Sequence, residues 1–169
     1  FASIGIFNKK SGMVAIRRNF PAENLAQFIA HAKQNPGRLN IGHSGVGSQN
    51  YLFCKAFVQA AGIDVTLVGY RGGGPALNDL IGGQIDGICD SSASVTPAIQ
   101  SGLIRAIALA SRTRLPHLPD VPTASEAGLP QFEISGWNAL FAPKGTPARI
   151  IEKLNVAMRS AVASPDYQK

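Results

Sequence analysis

An alternation constrains this chain more than any other feature. Short strand candidates recur at 12–18, 38–44, 64–70, 84–90, 103–111 and 132–143, with 64–70 rich in β-branched residues. Between them the apolar residues fall three and four apart, the spacing of one helix face. Leu25, Phe28, Ile29 and Ala32 follow Asn24, and Gln27 completes a capping box. Leu52, Phe53, Ala56, Phe57 and Ala60 follow Ser48, and Gly62 ends that stretch. A glycine loop at 71–83 runs into a helix with Pro75 in its first turn. A loop and short helix at 91–102 and a long amphipathic helix at 146–165 complete the pattern. Strands alternating with helices of about ten residues predict an α/β fold with a mainly parallel sheet flanked by helices. The proline-rich stretch 112–130 reads as surface, with one short helix expected at 123–127.

Composition narrows the function. With 45% hydrophobic and 15% charged residues the chain has the balance of a folded domain, not of a solvated tail. No apolar run reaches the roughly 18 residues of a membrane span. The opening FASIGIFNKK lacks the basic start and apolar core of a signal peptide and has no initiator Met, so the chain is expected to lie inside a longer protein. The net charge of +6 reads first as a basic surface, with attraction of anionic small molecules or of another protein as the sharper reading. Its basic pairs Lys9-Lys10 and Arg17-Arg18 carry no aromatic ladder, so nucleic acid is not expected. His31, His43 and His117 are scattered without ligand spacing, so no metal or cofactor is expected, and His43 reads as an ordinary strand residue. Cys54 and Cys89 read as buried free thiols, with pairing left open.

Two catalytic templates nearly fit NIGHSGVGSQNY, residues 40–51, and both fail. A nucleophile elbow around Ser44 has Gly42 two residues before but Val46 two residues after. A dinucleotide loop on Gly45 and Gly47 needs a third glycine where Asn50 stands. What remains is a repeated geometry. The loops 44–48, 71–74 and 90–94 each follow a strand, and in a parallel sheet they share the edge where α/β folds bind ligands. Helix starts there hold oxyanions with free N–H groups. Ser44, Ser48, Ser91 and Ser92 add hydroxyls, Arg71 a charge, and Asp90 an acceptor for a ligand amine or hydroxyl.

The segments 70–87, 102–111, 118–130 and 137–147, above all LPDVPTASEAGLP, resemble the solute-binding proteins of tripartite tricarboxylate transporters, the Bug or TctC-like family. The resemblance implies a type II periplasmic-binding-protein lobe with a partial first lobe. Residues 15–128 would form the second ligand-binding lobe, 1–14 a crossover remnant, and 129–169 a crossover strand and helix of the first lobe. It implies a periplasmic, non-enzymatic protein that captures a small carboxylate, often a di- or tricarboxylate or an amino acid, and delivers it to a membrane permease. Ligand contacts would come from Ser44, Gly45, Gly47, Ser48, Gln49, Asn50, Arg71, Gly72, Gly73, Asp90 and Ser91. His43, Asn50 and Arg71 depart from the residues common at these positions, which bears on the substrate. Two other readings stand beside this one: the effector-binding domain of a transcription regulator, and a serine hydrolase using Ser44. Incomplete edges also make self-association of the chain an expectation.

Overall fold

In the computed structural model, which describes residues 1–168, the expected alternation is present. The elements are β1 (Ala2–Arg17), α1 (Leu25–Gln34), β2 (Asn40–His43), α2 (Gln49–Ala61), β3 (Thr66–Gly69) and α3 (Gly73–Ile81). They continue as β4 (Gly87–Ser91), α4 (Ser92–Gln100), β5 (Ile104–Leu109), β6 (Ser135–Ala142), α5 (Ala148–Val162) and α6 (Pro165–Gln168). Local chemistry sets the helix starts. Asn24 Oδ1 accepts from Gln27 N–H at 3.0 Å, while Gln27 Oε1 reaches back to Glu23 N–H at 2.7 Å, one residue before the cap. Ser48 Oγ accepts from Tyr51 N–H at 3.1 Å and so caps α2.

Among the described residues one sheet has the order β3-β2-β4-β1-β5, with β6 also pairing β1. β3, β2 and β4 are parallel neighbours. β1 lies antiparallel to both β4 and β5, so the sheet is mixed and not uniformly parallel. The mainly parallel sheet expected from strands alternating with helices holds for β3, β2 and β4; β1 departs from it, and side-chain period says nothing of strand direction.

The chain divides into two compact units. The larger is Ser11–Ser135; the smaller joins Phe1–Lys10 to Gly136–Lys169. The larger unit buries both faces of its sheet. Val14 and Ile16 point into a cluster with Leu25 and Phe28 of α1 and Phe53 and Phe57 of α2. Met13 and Ala15 point the other way, into a cluster with Ala76 and Leu80 of α3 and Val95 and Ala98 of α4. The strand period of two therefore serves two cores at once. Burial of each such large side chain stabilises by about 1.5–3 kcal/mol.

The helix expected at 123–127 is only a turn. Thr123 and Glu126 form its capping contacts, with Glu126 N–H donating to Thr123 Oγ1 at 3.2 Å. Gly128 at φ +88° then ends the turn. In the smaller unit, α5 carries no buried residue, and Asn155 Nδ2 donates to the Ile4 carbonyl at 2.6 Å. No helix among the described residues is long and apolar enough to cross a membrane.

Candidate functional site

Because β2, β3 and β4 are parallel, their last residues His43, Gly69 and Ser91 reach the same sheet edge. α2, α3 and α4 start there, each within six residues of the strand before it. The free N–H groups of three helix starts thus lie along one edge of the larger unit, the arrangement that favours an anion.

The first loop is wound tightly. Gly45 has φ +104°, a conformation that suits glycine. Its carbonyl accepts from Ser48 Oγ at 2.7 Å and from Ser48 N–H at 3.2 Å. Its N–H donates to His43 Nδ1 at 3.1 Å. A Cβ added to Gly45 would stand 3.3 Å from the Tyr70 carbonyl, so the loops after β2 and β3 are close neighbours. Tyr70 N–H extends the β2–β3 pairing by donating to the His43 carbonyl at 2.9 Å.

Gly73, at the start of α3, is where the three segments meet. A Cβ built there would fall 2.6 Å from Asp90 Oδ2 and 3.8 Å from Asn50 Nδ2. Glycine lets the α3 backbone approach the Asp90 carboxylate and the Asn50 amide. Asp90 is buried, and its Oδ1 accepts from Ser91 N–H at 2.6 Å. Ser91 Oγ and Ser94 Oγ lie 2.7 Å apart, which ties the first turn of α4 together. Gly72 is the N-cap of α3.

Asn50, Gly73, Asp90 and Ser91 thus come together at one point, and Gly45 and Ser48 form the adjoining turn. Ser44 and Gln49 are half-buried beside it, while Gly47 and Arg71 are exposed. No contact gathers the Arg71 side chain to the others among the described residues.

Three contributors went unread in the sequence. His43, taken as an ordinary strand residue, is the acceptor on which the first loop turns, and its ring lies 4.9 Å from that of Tyr51. Ser94 supplies the second hydroxyl of the α4 pair. Tyr70 donates its phenol to Asp79 Oδ2 at 2.7 Å and braces the second loop against α3. Loss of solvent, with the Asp79 carboxylate beside it, pushes the Tyr70 phenol up to about 12, so it stays a neutral donor. A histidine two residues before a glycine at the end of a strand is the signal that could have pointed to His43.

Beneath the site, Cys54 and Cys89 are both free and buried. Burial, with Cys54 alongside, pushes the Cys89 thiol well up, which leaves it unreactive. No metal-binding cluster of His, Cys, Asp or Glu occurs among the described residues.

Known proteins resemble this chain along nearly its whole length. Residues 2–169 match the family described as tripartite tricarboxylate transporter family receptor. A protein of Agrobacterium vitis, known as the UPF0065 protein in the TAR-I ttuE-ttuC' intergenic region, is 39% identical over 165 residues. The match covers 98% of this chain and 48% of that protein. The structure of MatC from Rhodopseudomonas palustris with bound malate superposes with a TM-score of 0.94 at 37% identity, covering 99% of this chain and 57% of that one. The periplasmic binding protein BugD superposes with a TM-score of 0.93 at 34% identity, covering 99% of this chain and 56% of that one. The chain thus spans about half the length of the relatives it matches. Matched from residue 2 to residue 169, it belongs to the tripartite tricarboxylate transporter family of receptors.

Proposed function

We propose that the larger unit is one ligand-binding lobe of a periplasmic solute-binding protein that captures a small dicarboxylate and delivers it to a membrane permease. In this reading it corresponds to the second lobe expected over residues 15–128, and the smaller unit to the partial first lobe. The observation that carries the reading is the convergence at Gly73, where Asn50, Asp90 and the start of α3 meet on an edge lined by three helix N-termini. Backbone N–H groups and the hydroxyls of Ser44, Ser48 and Ser91 would bind carboxylate oxygens, directly or through water. Asp90 would accept from a ligand hydroxyl, as on a 2-hydroxy acid such as the malate held by MatC. Arg71, exposed at the rim, would draw the anion in.

Binding without chemistry fits the loop better than hydrolysis does. The Nδ1 lone pair of His43, the histidine adjacent in sequence to Ser44, is engaged by Gly45 N–H and is not offered to the Ser44 hydroxyl.

The test is a thermal-shift screen of the full-length protein against mono-, di- and tricarboxylates, with a sugar and a nucleotide as controls. A dicarboxylate should raise Tm in a concentration-dependent way. Stabilisation by the sugar or nucleotide and by no carboxylate would overturn the ligand class.

A further inference from the structure

The first loop of the site is built on an imidazole. His43 is 3% exposed at the end of β2, with its ring against Tyr51 and its Nε2 side toward Gly69. The Gly45 N–H that it accepts belongs to the residue whose carbonyl takes both hydrogen bonds from Ser48. Ser48 Oγ in turn accepts from Tyr51 N–H and caps α2. His43, Gly45, Ser48 and Tyr51 therefore form one hydrogen-bonded circuit, closed by the ring contact between His43 and Tyr51.

An N–H donor needs a lone pair opposite it, so this circuit requires His43 to be neutral with its proton on Nε2. An imidazolium would present a second N–H to Gly45 N–H at 3.1 Å. The contact would become repulsive, and Gly45 would have to leave the conformation that aims the loop.

We propose that His43 is the positioning residue of the oxyanion loop, and that only its neutral Nε2–H form holds Gly45. The inference rests on the binding reading above for its ligand, and on the hydrogen-bond circuit alone for the state of the imidazole.

Two readouts on full-length protein decide the matter. In a sample labelled with 15N histidine, the His43 resonances, assigned by their absence in His43→Asn, should show the neutral Nε2–H tautomer at about pH 7.5. The Nδ1–H tautomer or an imidazolium there overturns the proposal. Calorimetry with malate forms the second readout. At about pH 7.5 His43→Leu, which has no acceptor, should bind about tenfold more weakly than wild type. His43→Asn places an uncharged acceptor near the Nδ1 position, so it should rescue binding to within about threefold. Full affinity in His43→Leu, or no rescue in His43→Asn, overturns the proposal. If no carboxylate binds, the functional reading fails, and the tautomer still decides whether the loop is held as described.

Discussion

The two compact units treat their apolar residues in opposite ways. In the larger unit Phe28, Phe53 and Phe57 are sealed within a few percent of full burial, and both sheet faces are covered by helices. In the smaller unit Phe1, Ile6, Trp137, Phe141, Leu154 and Val156 all stand more than two-fifths exposed, and α5 buries nothing fully. α5 is nonetheless patterned to bury a face, with Ile150, Ile151, Leu154 and Met158 at helical spacing. The amphipathic rule operates in both units, but only the larger one closes its core from its own residues. That unit also holds every residue expected at the site, so the proposed binding edge stands on the part of the chain whose packing is complete.

The sharpest way to break this comparison is to remove one side chain from each unit. Phe57→Ala deletes a fully buried ring that touches Phe28 and Phe132, with centroids 6.1 and 5.4 Å away. It should cost about 3–5 kcal/mol, a large share of a typical domain's stability. Leu154→Ala on α5, where the side chain is 42% exposed, should cost less than about 1 kcal/mol in the same chain. Urea denaturation followed by far-UV circular dichroism measures both. Equal costs would show that the smaller unit is as well packed as the larger.

That contrast also marks what the sequence could convey. Helix positions in the larger unit were legible because Phe28 and Leu25, or Phe53 and Phe57, repeat at the helical period behind a capping residue. The glycine and serine loops were legible because a strand, a glycine and a cap in that order demand a turn. The full length of β1 was not. Residues 2–10 end in Asn8, Lys9 and Lys10, which break the alternation, yet the strand continues through them. Its antiparallel direction was not legible either, since both directions share one side-chain period. At 123–127, where a short helix is expected, Thr123 and Glu126 make capping contacts, but Gly128 ends the segment as a turn. The role of His43 was hidden for another reason. A buried strand histidine and a loop-anchoring histidine look alike until the Gly45 N–H is placed opposite Nδ1.

Ligand binding sharpens the comparison at the next level of effect. If the exposed apolar face of the smaller unit signals an unfinished lobe, the 169-residue chain should bind dicarboxylates at least about a hundredfold more weakly than the full-length protein, roughly 2.7 kcal/mol. Calorimetry of the two with malate at one pH reads the difference. Matching affinities would mean that the edge of the larger unit suffices, and that the exposure of α5 has nothing to do with binding.

The smallest expected effect lies at the surface of the larger unit and asks whether its cohesion extends there. Glu126 accepts from Thr123 N–H at 2.8 Å and Thr123 Oγ1 at 3.1 Å, and pairs with Arg114 at 2.9 Å. The Thr123 amide first, and Arg114 after it, hold the Glu126 carboxyl below the usual glutamate range. A carboxyl lowered on folding adds stability above its unfolded value and loses it as pH falls through the folded one. Wild type should therefore exceed Glu126→Gln in stability at neutral pH, and the gap should close on acidification below about pH 4.5. Because the group is exposed, solvent keeps the effect small, and it should be erased more readily by salt than by any change in the core. The single tryptophan, Trp137, lies in the smaller unit and reports on it separately. In the isolated chain the shift should appear in the far-UV transition and be weaker in Trp137 fluorescence. An equal shift in both probes would mean that the units unfold as one, and that the difference in packing between them does not divide their stability.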